Sequence, residues 1–358
     1  MKNIVIGMSG GVDSSVAALL LKRQGYNVIG LFMKNWEEDG ENGVCAANSD
    51  YEDVKRVCGT LDIPYYTVNF SKEYKESVFS VFLEEYKKGR TPNPDVLCNK
   101  EIKFKPFIDF ANTLNADYIA TGHYAKVAHT GSGHYLYKAK DLNKDQSYFL
   151  NQLSQNQLER VLFPLENLLK SEVREIARKN NIPVAEKKDS TGICFIGERN
   201  FRQFLKNYLP AQPGKIKTLD GKILGEHIGL MYYTIGQRRG LNVGGQKNDA
   251  GRWFVISKDL KENVLYVAHG DESGLYYNGL VINETNFIPT PPKIKEFDCY
   301  VKTRYREADK KAHITVEGAK TTVSFYQRER AVTEGQYAVL YGEDGQCLGG
   351  GVIELSNK

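Results

Sequence analysis

No stretch of the 358 residues approaches the ~20 consecutive apolar positions of a bilayer-spanning helix, which sets aside a membrane protein. Cysteine is scarce: six residues, at 45, 58, 98, 194, 299 and 347, with no Cys-x-x-Cys pair among them. A disulfide scaffold, a structural zinc and a cysteine-held cluster are all excluded by that spacing, so cysteine chemistry falls to isolated thiols. A surplus of one charge is missing too. Lys and Arg number 48 against 44 Asp and Glu, and the net +4 permits a nucleic-acid partner without pointing to one. Met1-Lys2-Asn3 runs straight into a short strand, with neither the apolar core nor the cleavage site of a signal peptide, so the cytoplasm is the expected compartment. Composition is ordinary for a soluble globular chain, at 41% hydrophobic and 26% charged, and the length calls for two or three domains.

What the chain does have stands at its start. Ser9-Gly10-Gly11-Val12-Asp13-Ser14 follows the apolar run Asn3 to Met8 and precedes a helical pattern. Glycines let backbone close around phosphate oxygens, and the helix N-terminus beyond them offers unpaired N–H groups and the positive end of a dipole. The Walker pattern ends in Gly-Lys-Ser/Thr, and no lysine stands beside this loop, which disfavours kinase-type γ-phosphate chemistry. The bland alternative is a glycine turn that packs a helix on a sheet. The hexapeptide is similar to the signature of the ATP-pyrophosphatases, which hold the pyrophosphate part of ATP and transfer AMP to an oxygen of a second substrate. ATP is expected on Gly7, Met8, Ser9, Gly10, Gly11, Val12, Asp13 and Ser14.

The pattern then alternates. Val16, Leu19, Leu20 and Arg23 fall at helical spacing with Gly25 as the stop, and Asn27 to Met33 reads as a strand. Ser49-x-x-Glu52 fits a capping box opening a helix through about Leu61, and Tyr65 to Asn69 is strand-like. Phe107, Phe110, Ala111 and Leu114 make another helix face before the strand Asp117 to Thr121. Such alternation specifies an α/β fold, a doubly wound parallel sheet with ligands beyond the carboxyl ends of its strands. Ser9 to Ser14, Met33 and Gly122-His123 all fall at that edge. Helical periodicity runs on from Gln155 to Asn180, with a second segment starting near Ser171. After Lys206, Pro and Gly punctuate short segments, and from Val281 alternating runs such as His313 to Val316 and Thr322 to Phe325 indicate antiparallel strands, interrupted at Pro289-Thr290-Pro291-Pro292. The expected division is a first domain over 1–206, a small connecting domain over 207–278 and a β-barrel-like domain over 279–358.

Two cysteines differ from the rest in their surroundings. Cys98 closes Thr91-Pro92-Asn93-Pro94-Asp95-Val96-Leu97, a proline-set turn with a carboxylate three positions away and Lys100 and Lys103 nearby, and basic neighbours lower a thiol's pKa. Cys194 lies in Gly192-Ile193-Cys194-Phe195-Ile196-Gly197, an apolar stretch hinged between glycines, suited to a thiol that swings. Cys58, Cys299 and Cys347 read as small buried hydrophobes, and Cys45 leans the same way.

Ser9 to Ser14, Asn93-Pro94-Asp95-x-x-Cys98-Asn99, Thr121-Gly122-His123-Tyr124, Lys144-Asp145-Gln146-Ser147 and Gly192 to Gly197 stand in the order and spacing of one family. Tyr233-Thr234-Ile235-Gly236-Gln237-Arg238-Arg239-Gly240 and Cys347-Leu348-Gly349-Gly350-Gly351 extend the match over nearly the whole chain. It resembles the tRNA-specific 2-thiouridylases. The resemblance implies an ATP-pyrophosphatase domain followed by the connecting and barrel domains, and replacement of O2 of the wobble uridine, position 34, by sulfur. ATP and Mg²⁺ are the implied cofactors, with Asp13 helping to position the metal and Met33 and Gly122 meeting the adenosine. Asn93, Pro94 and Asp95 would meet the flipped-out base, Asp95 as general acid or base. Cys194 would carry the persulfide and Cys98 would attack it, either freeing hydrosulfide or finishing a direct transfer. Both routes end in a Cys98–Cys194 disulfide reopened by an external reductant. The implied tRNA contacts are His123, Lys144, Asp145, Gln146, Arg304, Tyr305 and Gln336. Lys302, Arg304, Arg306, Lys310 and Lys311 form a basic cluster whose other reading is a solvated strand face. The implied partners are tRNA and a persulfide donor, a cysteine desulfurase or sulfur-relay protein, acting on a monomer. An ATP-pyrophosphatase that amidates or ligates a small acid would have no use for the two thiols or a basic barrel. A sulfur carrier without RNA would have no use for the ATP loop, and a pure RNA-binding module would need neither.

Overall fold

A computed structural model describes residues 1–37, 46–189, 201–243, 252–270 and 273–358 of the protein. The amino-terminal part contributes β1 (Asn3–Met8), β2 (Asn27–Lys34), β3 (Tyr65–Asn69), β4 (Tyr118–Ala120), β5 (Lys126–Thr130), β6 (Gly133–Tyr137) and β7 (Val161–Leu162). Five of them form one sheet in the order β3-β2-β1-β4-β7, every pair parallel. β1 explains why it is central. Ile4, Ile6 and Met8 face one core with helix α1 (Val12–Arg23), while Val5 faces another with Phe104 and Phe107, and all four strand residues are buried. A strand covered on both faces reads as a continuous apolar run, as this one does.

α1 ends where Gly25 takes φ +84°, a conformation that suits glycine. Its buried face includes Val16 and Ala17 and shares a core with Val173 and Ala177 of the helix Lys170–Lys179. Helix α2 (Ala46–Leu61) begins three residues before the Ser49 cap read from sequence, so the Ser49-x-x-Glu52 motif lies inside it. The helical run expected from Gln155 to Asn180 is divided. Gln155–Glu159 is a short helix closed by a Ser154–Gln157 capping box, then β7 joins the sheet, then Lys170–Lys179 follows.

The second unit holds β8 (Gly214–Lys217), β9 (Ile223–His227), β10 (Trp253–Asp259) and β11 (Val264–His269), in the order β10-β11-β8-β9 with β11 and β8 parallel. The third holds β12 (Tyr276–Asn283), β13 (Asn286–Phe287), β14 (Glu296–Lys302), β15 (Lys310–Glu317), β16 (Lys320–Arg330), β17 (Tyr337–Tyr341) and β18 (Gln346–Asn357). β12, β16, β15, β14, β17 and β18 pair in sequence, and β12 pairs β18, closing an antiparallel barrel of six strands around Leu280, Val301, Ile314 and Val323. Its first strand starts at Tyr276, slightly ahead of the expected 279. The β5–β6 hairpin, which sequence periodicity did not reveal, leaves the parallel sheet and pairs with the barrel through Gln346↔Tyr137 and Cys347↔Leu136.

Candidate active site

The Ser9–Ser14 loop leaves the carboxyl end of β1, where the parallel-sheet rule expects ligands. Gly10 has φ +73°, and a Cβ on it would lie 2.6 Å from the Asp50 carbonyl oxygen. The Ser9 N–H donates to Ser14 Oγ at 3.2 Å, the Gly11 N–H donates to Ser9 Oγ at 3.3 Å, and Ser15 Oγ donates to the Gly11 carbonyl at 2.8 Å. Gly122, just beyond β4, packs against the start of α1 so closely that a Cβ there would lie 2.6 Å from the Ser14 nitrogen. Gly7 is matched to Met33, whose methyl lies 3.2 Å from the Cβ position. Gly7, Met33 and Gly122 therefore converge with the loop, as their shared strand-end positions implied.

Sequence adjacency concealed the cations. Lys170, 157 positions from Asp13, donates to its two carboxylate oxygens at 2.6 and 2.8 Å, and Tyr124 OH donates to Oδ1 at 2.9 Å. Lys170 also pairs with Asp189 at 2.9 Å, Arg174 pairs with Asp189 at 2.7 Å, and Lys144 joins the same carboxylate. Burial acts to raise the Asp189 pKa, yet the bonds from Lys144 and Lys170 outweigh it and bring it down to about 2. On the other side of the loop, Lys187 bridges Asp50 at 2.7 Å and Asp53 at 2.6 Å and donates to the Gly10 carbonyl at 3.1 Å. Burial works against the Lys187 charge, but those two carboxylates prevail and raise its pKa. In this arrangement both oxygens of Asp13 accept from Lys170. Among the described residues no group of three His, Cys, Asp or Glu side chains is placed to hold a metal ion.

The proline-set turn proves to be a one-and-a-half-turn helix, Pro94–Cys98, with Pro94 in its first turn, where a missing N–H costs nothing. Asp95 and Cys98 stand three apart on it and so share a face. Asn93 occupies the N-cap position but its side chain makes no capping bond, and its Oδ1 is buried without a hydrogen-bond partner. An orphaned acceptor of that kind at a helix start is a vacancy in the hydrogen-bond accounting that a substrate donor would fill. Cys98 is fully buried. Cys194 and Cys45 lie outside the described residues. The other three thiols behave as small hydrophobes: burial pushes Cys58 up to about 11 and Cys299 and Cys347 up to about 12.

A hydrogen-bonded path joins the two halves of the site. Tyr124 donates to Asp13 through its hydroxyl and to Gln146 Oε1 through its backbone N–H at 3.0 Å, and Asn99, next to Cys98, donates to the Phe149 carbonyl at 3.0 Å. The segment 146–149 thus spans from the ATP loop to the thiol helix. The barrel grips the same helix from behind. Gln336 Nε2 donates to the Thr91 carbonyl at 2.7 Å and the Pro92 carbonyl at 3.3 Å, the Thr91 N–H donates to the Glu334 carbonyl at 3.0 Å, and Arg90 pairs with Glu354 at 2.7 Å.

The side chains expected to meet RNA have internal partners. His123 is buried between Phe104 and Phe163 with its Nδ1 2.7 Å from Thr121 Oγ1. Burial, with Lys103 nearby, pushes its pKa well below the ordinary value, so the ring is neutral. Asp145 is buried and accepts from the Ala139 and Ser147 N–H groups and from Ser147 Oγ. Tyr305 packs on Phe149 with ring centroids 4.4 Å apart. One guanidinium nitrogen of Arg304 donates to the Ile235 and Ala331 carbonyls, both at 2.9 Å, and to Thr333 Oγ1 at 2.8 Å. In the basic cluster, Lys302 faces Asp309 and Lys310 faces Glu329, while Arg306 and Lys311 are exposed.

A glycine loop between a parallel strand and a helix, backed by Gly122 and met by Lys170 from a distant helix and by Lys187 beyond it, defines an ATP-pyrophosphatase-type α/β enzyme. The chain matches family models described as tRNA methyl transferase HUP domain over residues 2–198, tRNA methyl transferase PRC-barrel domain over 202–269 and aminomethyltransferase beta-barrel domain over 277–353. It is 57% identical over 360 residues to the tRNA-specific 2-thiouridylase MnmA of Oceanobacillus iheyensis, covering 99% of this chain and 95% of that protein. The corresponding protein of Listeria welshimeri is 58% identical over 354 residues, covering 98% and 94%, and that of Streptococcus thermophilus is 56% identical over 359, covering 99% and 96%. The chain belongs to the tRNA-specific 2-thiouridylases, which are tRNA-uridine 2-sulfurtransferases. Likeness to a solved 4-thiouridine synthetase–RNA complex with bound ATP is loose, at 17% identity over 56% of this chain and 46% of the other, with a TM-score of 0.34. No helix among the described residues is long and apolar enough to cross a membrane.

Proposed function

We propose that the enzyme 2-thiolates the wobble uridine of tRNA by adenylating the base and then delivering sulfur from a cysteine persulfide. The observation that supports this reading is the hydrogen-bonded path from Asp13 through Tyr124 and Gln146 to the Phe149–Asn99 contact beside Cys98, which links the glycine loop to a thiol.

A pyrimidine carbonyl oxygen is a poor leaving group. Uridine O2 attacks the α-phosphorus of ATP, the bond to the bridging oxygen breaks, and pyrophosphate departs from the Ser9–Ser14 loop. Backbone N–H groups there and at the start of α1 hold the departing charge. Met33 and Gly122 border the adenosine. The extruded base lies against Asn93, Pro94 and Asp95, where the free Oδ1 of Asn93 accepts a ring N–H and Asp95 exchanges a proton with the ring. Sulfur then enters at C2 and AMP leaves. In the direct route the terminal sulfur of the Cys194 persulfide attacks C2, and Cys98 displaces the new base sulfur by bonding to Cys194. In the other route Cys98 attacks Cys194 first and releases hydrosulfide, which attacks C2. Each route oxidises two thiols to a Cys98–Cys194 disulfide, which an external thiol reduces.

Lys144, Gln146 and Tyr305 keep partly exposed edges for RNA, whereas His123, Asp145, Arg304 and Gln336 serve the tRNA by holding the segments that meet it. Mg²⁺ arrives with the ATP phosphates, and Asp13 acts through Lys170. The working units are 1–206, 207–278 and 279–358, in a cytoplasmic monomer supplied by a cysteine desulfurase or a sulfur-relay protein. Incubation with ATP, a sulfide source and unmodified tRNA transcripts, followed by nucleoside mass analysis, tests the reading. The expected product is 2-thiouridine at position 34 with AMP and pyrophosphate. Primary release of ADP and orthophosphate, or no thiolated nucleoside, overturns it.

A further inference from the structure

The Thr234–Gly240 motif takes no part in the reaction, yet its backbone is among the most constrained in the molecule. The Thr234 N–H donates to Gln237 Oε1 at 3.0 Å, Gln237 Nε2 donates to the Arg239 carbonyl at 2.9 Å, and Gly236 and Gln237 exchange backbone bonds with Val255 of β10 at 2.8 and 3.0 Å. Gly236 has φ +82°, and a Cβ on it would lie 2.7 Å from the Ala331 methyl, so the turn is seated directly on the barrel. Arg304 bolts it there through the Ile235 carbonyl, and Thr234 Oγ1 lies 3.4 Å from Thr91 Oγ1, at the foot of the helix that carries Asp95 and Cys98.

This rigid turn presents Arg238 and Arg239 to solvent, both exposed and neither with an ion-pair or hydrogen-bond partner for its guanidinium among the described residues. Elsewhere on the surface Lys215 is paired with Glu226 and Arg178 with Glu186. Beside the turn, Gly240 has φ +75° and packs so closely on Arg202 that a Cβ would lie 2.7 Å from Nη2. Arg202 and Lys206 line a neighbouring cavity of about 460 Å³ with Gln203 and Ile228. Two adjacent guanidinium forks on a preorganised backbone, continued by two further cations, supply the charge and the planar donor forks that phosphates take.

We propose that Arg238 and Arg239 form a phosphate-backbone seat for the tRNA, held in fixed register with the Pro94–Cys98 helix by the Thr234–Thr91, Gly236–Ala331 and Arg304 contacts. The proposal rests on the tRNA-thiolating reading for the identity of the RNA. The seat carries no base information; it sets where the backbone lies relative to the site.

The test is tRNA binding by the full-length enzyme over a salt series, comparing wild type with R238A/R239A and R238K/R239K. The alanine pair is expected to bind tRNA at least tenfold more weakly, and its slope of log affinity against log salt is expected to be shallower by about 2, since each lost phosphate contact removes about 0.9. The lysine pair restores most of that slope. ATP affinity and the thiolation rate at saturating tRNA stay within about twofold of wild type. An unchanged slope and affinity in R238A/R239A overturn the seat. A loss of affinity for the protein sulfur donor, with RNA binding intact, also overturns it by assigning the surface to an acidic protein. If the wild type shows the arginine-dependent slope but never thiolates tRNA, the seat stands and the proposed reaction falls.

Discussion

The Ser9–Ser14 loop and the Pro94–Cys98 helix are joined by one hydrogen-bonded path, but they are held in place by different forces. The loop is secured by charge: Lys170 between Asp13 and Asp189, and Lys187 between Asp50 and Asp53. The helix is secured mainly by neutral bonds, the Gln336 amide donating to the Thr91 carbonyl and the Thr91 N–H donating to the Glu334 carbonyl, and by burial of Val96 and Cys98, with the Arg90–Glu354 pair as an ionic tie to the barrel. Charge-held elements respond to pH and to an entering polyphosphate, whereas packed elements respond to shape. The nucleotide half of the site is therefore built to feel its ligand, and the thiol half is built to stay where the barrel puts it.

The largest effect that would break this contrast concerns the thiol. Cys98→Ser is expected to abolish persulfide-dependent thiolation while a persulfide still forms on Cys194, as peptide mapping by mass would read. Thiolated tRNA accumulating with both cysteines free would overturn the resolving step. Next comes Gly122→Val, whose side chain would start 2.6 Å from the Ser14 nitrogen. It should drive the start of α1 away, reduce ATP turnover at least a hundredfold and destabilise by about 1–3 kcal/mol, measured by product release and thermal melting. Asp13→Asn should leave the fold intact and lower adenylation roughly tenfold to a hundredfold. A normal single-turnover adenylation rate would remove Asp13 from the machinery.

Gln336→Leu sharpens the other half. It leaves the Thr91 and Pro92 carbonyls without their donor, so thiolation should slow about tenfold and stability fall by about 1 kcal/mol, with ATP affinity unmoved. A parallel loss of ATP binding would mean the two halves are not separately held. The smallest effect is a pH signature. The Asp189 pKa is lowered from 3.8 to about 2 in the folded state, so its contribution is complete above pH 3.8 and disappears as pH falls through 2. Wild type should melt higher than Asp189→Asn at neutral pH, with the gap closing between those limits. A gap independent of pH would show that the carboxylate's charge is not what matters.

How much of this was legible in advance followed the range of the interactions. β1, β2 and β4 were readable because each is a short apolar run whose burial is decided by its own residues, and β3, none of whose residues is fully buried, was readable from its Tyr, Thr and Val content. The loop was readable because glycine spacing acts locally. Lys170 was not, since its salt bridge to Asp13 spans 157 positions, and the Gln336–Thr91 bond spans 245. No local periodicity records such pairings. The Ser49 box misled because its pattern is equally compatible with a helix interior, and the two-residue β7 is too short to carry a period of its own. The internal partners of the expected RNA-contact residues were not legible: those of Arg304 come from far along the chain, at Ile235, Ala331 and Thr333, and Asp145 is buried on Ala139 and Ser147.

The β6–β18 pairing bears on how this enzyme can be taken apart. Leu136 and Cys347 are buried opposite each other, so the hairpin of the first unit completes its sheet only when the last strand of the chain is in place. A version shortened before β18 would present β6 as a bare strand edge carrying an uncovered leucine, a template for pairing with another copy. The barrel is consequently not an accessory that can be removed or exchanged, and a nascent chain keeps β6 uncovered until β18 has emerged.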